Sequence, residues 1–152
     1  MEPVPVDEGG AAPGAPRLKA SYALDGGGAW IAQARRLAAE FLTRACAEDD
    51  LPVSTRAVEV TQLVVSELVT NARKYAPGPV RLDLRVLDDA LEVVVRDGNP
   101  VLPVPRAANP DRVGQHGLEI VMAVAQWLDV QQGPAGKRVT ARIALLDAPA
   151  VG

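Results

Sequence analysis

The chain has 152 residues, 48% of them hydrophobic and 23% charged, with a formal net charge of -3; these values suit one domain with its own core and give no electrostatic ground for nucleic-acid binding. Aromatic residues make up only 3%, too few for base-stacking platforms, while a single cysteine, Cys46, and a single histidine, His116, exclude an internal disulfide and argue against a zinc site. No run approaches the roughly 20 apolar residues of a membrane span, and the start has neither the basic nor the apolar segment of a secretory signal, so a cytoplasmic protein is expected.

Residues 1–16, acidic and rich in Pro and Gly, are expected to form a disordered leader. One domain is expected over 17–146, with a short tail at 147–152. Arg17 to Leu24 alternates as an edge strand before "DGGG" breaks the chain. Ile31, Ala34, Ala38, Phe41, Leu42 and Ala45 then recur at helical spacing, and the pattern predicts a helix from about Ala29 to Ala47, with Cys46 as core filling at the border of its apolar stripe. Ser54 is placed to cap a second helix that runs to about Tyr75, where Pro77, Gly78 and Pro79 end it.

"VRLDLRVL" (80–87) and "LEVVVRD" (91–97) both alternate and, joined through Asp88 and Asp89, predict an antiparallel hairpin. Residues 98–117 carry four prolines and no periodicity, the mark of a long loop that is either functional or disordered. Helical spacing resumes at Leu118, Val121, Met122, Ala125 and Leu128. After "QQGPAG", a last strand places Val139, Ala141, Ile143 and Leu145 on one face. The order predicts an α+β two-layer sandwich: a mixed or mostly antiparallel sheet covered on one face by helices.

Three features depart from simple core patterning. In "SELVTNARKYA" (66–76), a helical wheel places Glu67 and Asn71 inside an arc formed by Val60, Leu63, Val64, Leu68 and Tyr75. Burial without partners would penalise both groups, so the pair either meets a ligand, a metal or a polar network, or reaches water at the rim of a widening arc. Asp97 shares the parity of Leu91, Val93 and Val95 and precedes Gly98, so it either faces a cavity as a hydrogen-bond acceptor or opens a surface turn. Gly114 and Gly117 precede the third helix, whose N-terminal N–H groups can receive phosphate, although two glycines also serve as a plain flexible entry.

In this order and spacing, the three features resemble the N box and the two glycine boxes of the GHKL superfamily, the ATP-binding domains with the Bergerat fold that include sensor histidine kinases and DNA gyrase. The boxes are Glu67 to Asn71, "DGNP" (97–100) and "GQHGLEIV" (114–121). The resemblance covers roughly residues 17–146 and is nearest to the stand-alone anti-sigma-factor serine/threonine kinases. It implies that Asn71 holds Mg²⁺ through its amide oxygen, that Glu67 acts as the general base, and that Asp97 accepts a hydrogen bond from the adenine amine beside Gly98. It further implies that Gly114, His116, Gly117 and Leu118 frame the phosphates of ATP, with Arg73 or Lys74 as further phosphate contacts.

Asn99 stands where many members have a second glycine, His116 where many have arginine, and Arg138 where many have a threonine facing the nucleotide. The implied activity is ATP- and Mg²⁺-dependent phosphorylation of a serine or threonine on an anti-anti-sigma antagonist, within a partner switch that includes a sigma factor. Homodimers are common in the group. The alternative is a nucleotide-sensing or partner-sequestering module without catalysis, which Asn99 and Arg138 favour.

Overall fold

The computed structural model describes residues 18–24, 29–75, 79–97, 118–133 and 136–146. The expected leader (1–16), the long loop (98–117) and the tail (147–152) lie outside them. In chain order the elements are β1 (Leu18–Leu24), α1 (Trp30–Asp49), α2 (Thr55–Tyr75), β2 (Val80–Leu87), β3 (Ala90–Asp97), a helical segment α3 over 118–124, β4 (Trp127–Gly133) and β5 (Gly136–Ala144).

Each boundary has a local cause. Ser54 caps α2, its Oγ accepting the Ala57 N–H at 2.9 Å, which satisfies one of the donors a helix start leaves unpaired. The first helix ends where Asp50 takes a left-handed conformation (φ 53°) and returns its N–H to the Ala45 carbonyl, a conformation that Asp tolerates better than most residues. Asp88 does the same (φ 56°) in the two-residue turn between the paired Leu87 and Ala90.

The strands form one sheet in the order β1-β2-β3-β5-β4, antiparallel at every described pairing. Both α1 and α2 lie on one face, α1 over β1 and β2 and α2 over β2, β3 and β5, and the two helices pack on each other. Between the layers, Phe41, Leu68, Leu82, Leu84, Leu91 and Ile143 are among the fully buried side chains. Burying residues of this size stabilises by roughly 1.5–3 kcal/mol each. Thus β3, the central strand, ends with Asp97 beneath the helix that carries Asn71.

The sequence reading is corrected at two places. The expected third helix does not continue to Leu128: α3 stops at 124, the Gln126 N–H donates to the Arg142 carbonyl at 2.7 Å, and Trp127–Gly133 pairs along β5 as a fifth strand. Leu128 still packs on the core, but from a strand. Cys46 is exposed rather than core filling. Among the described residues, no helix is long and apolar enough to cross a membrane.

Candidate functional site

Packed against both the sheet and α1, α2 buries a broader arc than one stripe. Ala57, Val60, Thr61, Val64, Val65, Leu68, Val69 and Ala72 are buried, and Gln62 reaches the Arg35 carbonyl of α1 at 3.3 Å. The arc is therefore turned toward α1 relative to the sequence wheel, which leaves Leu63 37% exposed. Glu67 comes to rest half-buried on the rim, whereas Asn71 is inside, only 5% exposed. The two residues separate by environment: an acid within reach of water, and an amide one turn later that is enclosed.

Asp97 is 6% exposed on the helix-facing side of β3, in the same row as Leu91, Val93 and Val95. Its cross-strand partner on β5 is Lys137, and direct partners share a face. The Lys137 main-chain N–H donates to Asp97 Oδ1 at 3.3 Å, and its Nζ reaches Asn71 Oδ1 at 3.4 Å. The second contact is long for a hydrogen bond but within the reach of an ammonium acting on an amide dipole. Burial holds the Lys137 amine below the ordinary lysine range, because the charged form loses hydration, and the Asp97 carboxylate partly offsets this. A carboxylate, an amide and an ammonium thus meet where the end of β3, the start of β5 and the C-terminal part of α2 converge.

Lys137 is the site residue that sequence reasoning missed. Its signal was legible: carrying the parity of Ile143, Ala141 and Val139 back by one step places a lysine on the core side of "GKRV". Arg138, by contrast, is on the opposite face. It is exposed, it hydrogen-bonds Gln131 of β4, and it is flanked in the ladder by Arg96. The doubt that Arg138 cast on a ligand beside Asp97 is removed, since the intervening sheet separates them.

That opposite face bears no described helix and is laid out in charged rows. Glu92 accepts from Arg85 at 2.6 Å and pairs with Arg142 at 3.5 Å; Asp83 pairs with Arg81 at 3.2 Å and with Arg96 at 3.5 Å. A half-open depression of about 240 Å³ lies among Arg85, Glu92, Arg96, Trp127, Arg138 and Thr140. Of its lining charges, Arg85 and Glu92 pair with each other, while Arg96 pairs with Asp83 beside it; being half-open, the depression lacks the enclosure that marks a small-molecule site.

Gly98, Asn99, Gly114, His116 and Gly117 lie outside the described residues. Leu118 opens α3 half-buried and packs on the core. Arg73 stacks over the Trp30 ring at 5.1 Å, a contact that orients the guanidinium toward α1; the side chain of Lys74 is outside the described set. Among the described residues there is no cluster of three or more His, Cys, Asp or Glu able to hold a metal by itself.

A family model described as a histidine kinase-like ATPase domain matches residues 29–143. Among solved structures, the histidine kinase domain of a blue-light activated histidine kinase from Erythrobacter litoralis EL346 is similar at 24% identity and a TM-score of 0.40, over 59% of this chain and 48% of that one. The chain therefore spans about half the length of that structure. No curated protein matches.

Proposed function

Because the chain belongs to the histidine kinase-like ATPase domain family, we propose that it binds ATP at the Asn71–Asp97–Lys137 cluster and works as a regulatory protein serine/threonine kinase of the anti-sigma type. The observation that carries this reading is the burial of Asn71 and Asp97, 5% and 6% exposed, on the same side of the sheet and both in contact with Lys137. Buried polar side chains such as these are costly unless they serve a ligand or one another.

The roles follow from chemistry. Asp97 is an acceptor held in place by a backbone N–H, suited to the exocyclic amine of adenine and unsuited to the carbonyl that guanine presents at the equivalent position. Asn71 fits a Mg²⁺ ion as one hard oxygen ligand: its Oδ1 already draws a cation, the Lys137 ammonium, and Mg²⁺ is usually held by one or two protein oxygens plus substrate phosphates. When bound, the ion supplies charge neutralisation for phosphoryl transfer. Glu67, half-buried one turn from Asn71, has the water access that a base needs to take the proton of an incoming serine or threonine hydroxyl.

On this reading the chain works in a partner switch, with a sigma factor and an anti-anti-sigma antagonist as protein partners in the cytoplasm, Gly98, Gly114, His116, Gly117 and Leu118 as further nucleotide contacts, and a homodimer as the assembly. Phosphate added to the antagonist would place new charge on its docking surface and weaken the complex. The competing reading is a module that binds nucleotide or partner without catalysis. It is favoured by one observation, the occupation of the Asn71 oxygen by Lys137 rather than by open space.

Affinity capture of partners with and without ATP, followed by phosphotransfer assays on the captured proteins, separates the two. Transfer to a captured serine or threonine that Glu67→Gln abolishes while ATP still binds supports the kinase. ATP binding with no transfer to any captured protein leaves the sequestering module. Undiminished transfer by Glu67→Gln removes Glu67 as the base.

A further inference from the structure

We propose that Lys137 is a phosphate-binding residue that takes over part of the role of a divalent cation, so that this chain binds nucleotide with little dependence on metal. The inference rests on the nucleotide-site reading above and concerns how that site handles charge.

Lys137 stands directly across the ladder from Asp97, donates its main-chain N–H to that carboxylate, and extends its side chain to Asn71. A ligand anchored at Asp97 and reaching toward Asn71 must pass this side chain. A Mg²⁺ ion held by Asn71 would use the same Oδ1 that the ammonium now reaches at 3.4 Å. Two cations sharing that one oxygen repel each other strongly in a partly buried setting, so metal and ammonium are alternatives there.

Lys137 is half-buried on the face shared with Val139 and, across the ladder, Val95, both of which are buried. An ammonium held against aliphatic side chains has lost part of its hydration. A phosphate on the path from Asp97 to Asn71 would lie within reach of this ammonium, which makes the lysine a receiver of phosphate as well as a tether for Asp97. On this account the adjacent arginine has no share in the site, because it faces the other side of the sheet.

The test is calorimetric titration of the full chain with ADP, in excess EDTA and in excess Mg²⁺, for the wild type, Lys137→Met and Lys137→Arg. Thermal melting of each variant confirms that it is folded. For the wild type, the two dissociation constants should agree within about threefold. In Lys137→Met, binding in EDTA should weaken at least about tenfold more than binding in Mg²⁺, because the metal regains the Asn71 oxygen and replaces the lost charge; Lys137→Arg, which keeps the charge but not the shape, should lose less in EDTA than Lys137→Met.

A Lys137→Met protein with an unchanged ratio makes the lysine a mere partner of Asp97 and overturns the proposal, as does a wild type that binds ADP only with Mg²⁺. Absence of ADP binding under both conditions is a different failure: it removes the nucleotide site itself.

Discussion

Lys137 and Arg138 are adjacent in the chain, carry the same charge, and face opposite sides of one sheet. On Arg138's side, charges answer charges: Arg85 and Arg142 flank Glu92, and Arg81 and Arg96 flank Asp83. On Lys137's side the surroundings are mostly Leu, Val, Ile and Ala, and at one end of the sheet Asp97 and Asn71 are each nearly enclosed. The contrast shows why polarity alone does not locate a site. Glu92, only 7% exposed, is answered by an arginine on each side, whereas Asn71 and Asp97 lie among apolar side chains, where burial must be offset by a partner.

The largest expected difference between the faces is in stability. Leu84→Ala, on the fully buried side, should cost about 2–5 kcal/mol in urea denaturation. If it costs less than its exposed neighbours do, the helix-covered face is not the core. Next comes Glu92→Gln, which leaves two guanidinium groups without their carboxylate; because both arginines are more than a third or about a third exposed, the expected loss is only about 1–2 kcal/mol. A loss near zero would make the row pure solvated decoration.

A smaller effect depends on pH. Burial lowers the proton affinity of Lys137 in the folded chain, so the unfolded chain binds more protons over the alkaline range below the ordinary lysine value, and stability from this group rises with pH there. It is fully present above the unfolded value and lost as pH falls through the folded one. Lys137→Met should therefore lose stability relative to the wild type as pH is raised through that window; a difference that is constant with pH would place the amine in water. Smallest of all, Arg138→Ala should change stability by less than about 0.5 kcal/mol and leave ATP affinity within about threefold. A large loss of ATP affinity would mean that the ligand reaches the open face.

How much of this was legible in the sequence differs by element. The hairpin of β2 and β3 alternates strictly, and α1 and α2 carry long periodic runs with a Ser54 cap, so local pattern and tertiary environment agree. β4 was hidden for a physical reason. As an edge strand it buries little, and Leu118, Val121, Ala125 and Leu128 fit a helical repeat as well as they fit a short helix followed by a strand.

In the site, Asn71 and Asp97 were visible as polar residues on apolar faces, and both are buried. The wheel did not distinguish Glu67 from Asn71, because it could not register the extra flank that α1 covers. Lys137 went unnoticed because a lysine at a strand's start ordinarily reaches solvent; only its register against Asp97 shows where it is held.

The most direct test of the central claim, a nucleotide site on the helix-covered face, is titration of the wild type and Asp97→Ala with ATP and with GTP. The account predicts that the wild type binds ATP more tightly than GTP, which would leave the buried Asp97 acceptor without a donor, and that Asp97→Ala weakens ATP by at least about tenfold, because the adenine amine then lacks its acceptor. A wild type that binds neither nucleotide, or an Asp97→Ala protein that binds ATP as tightly as the wild type, would contradict it.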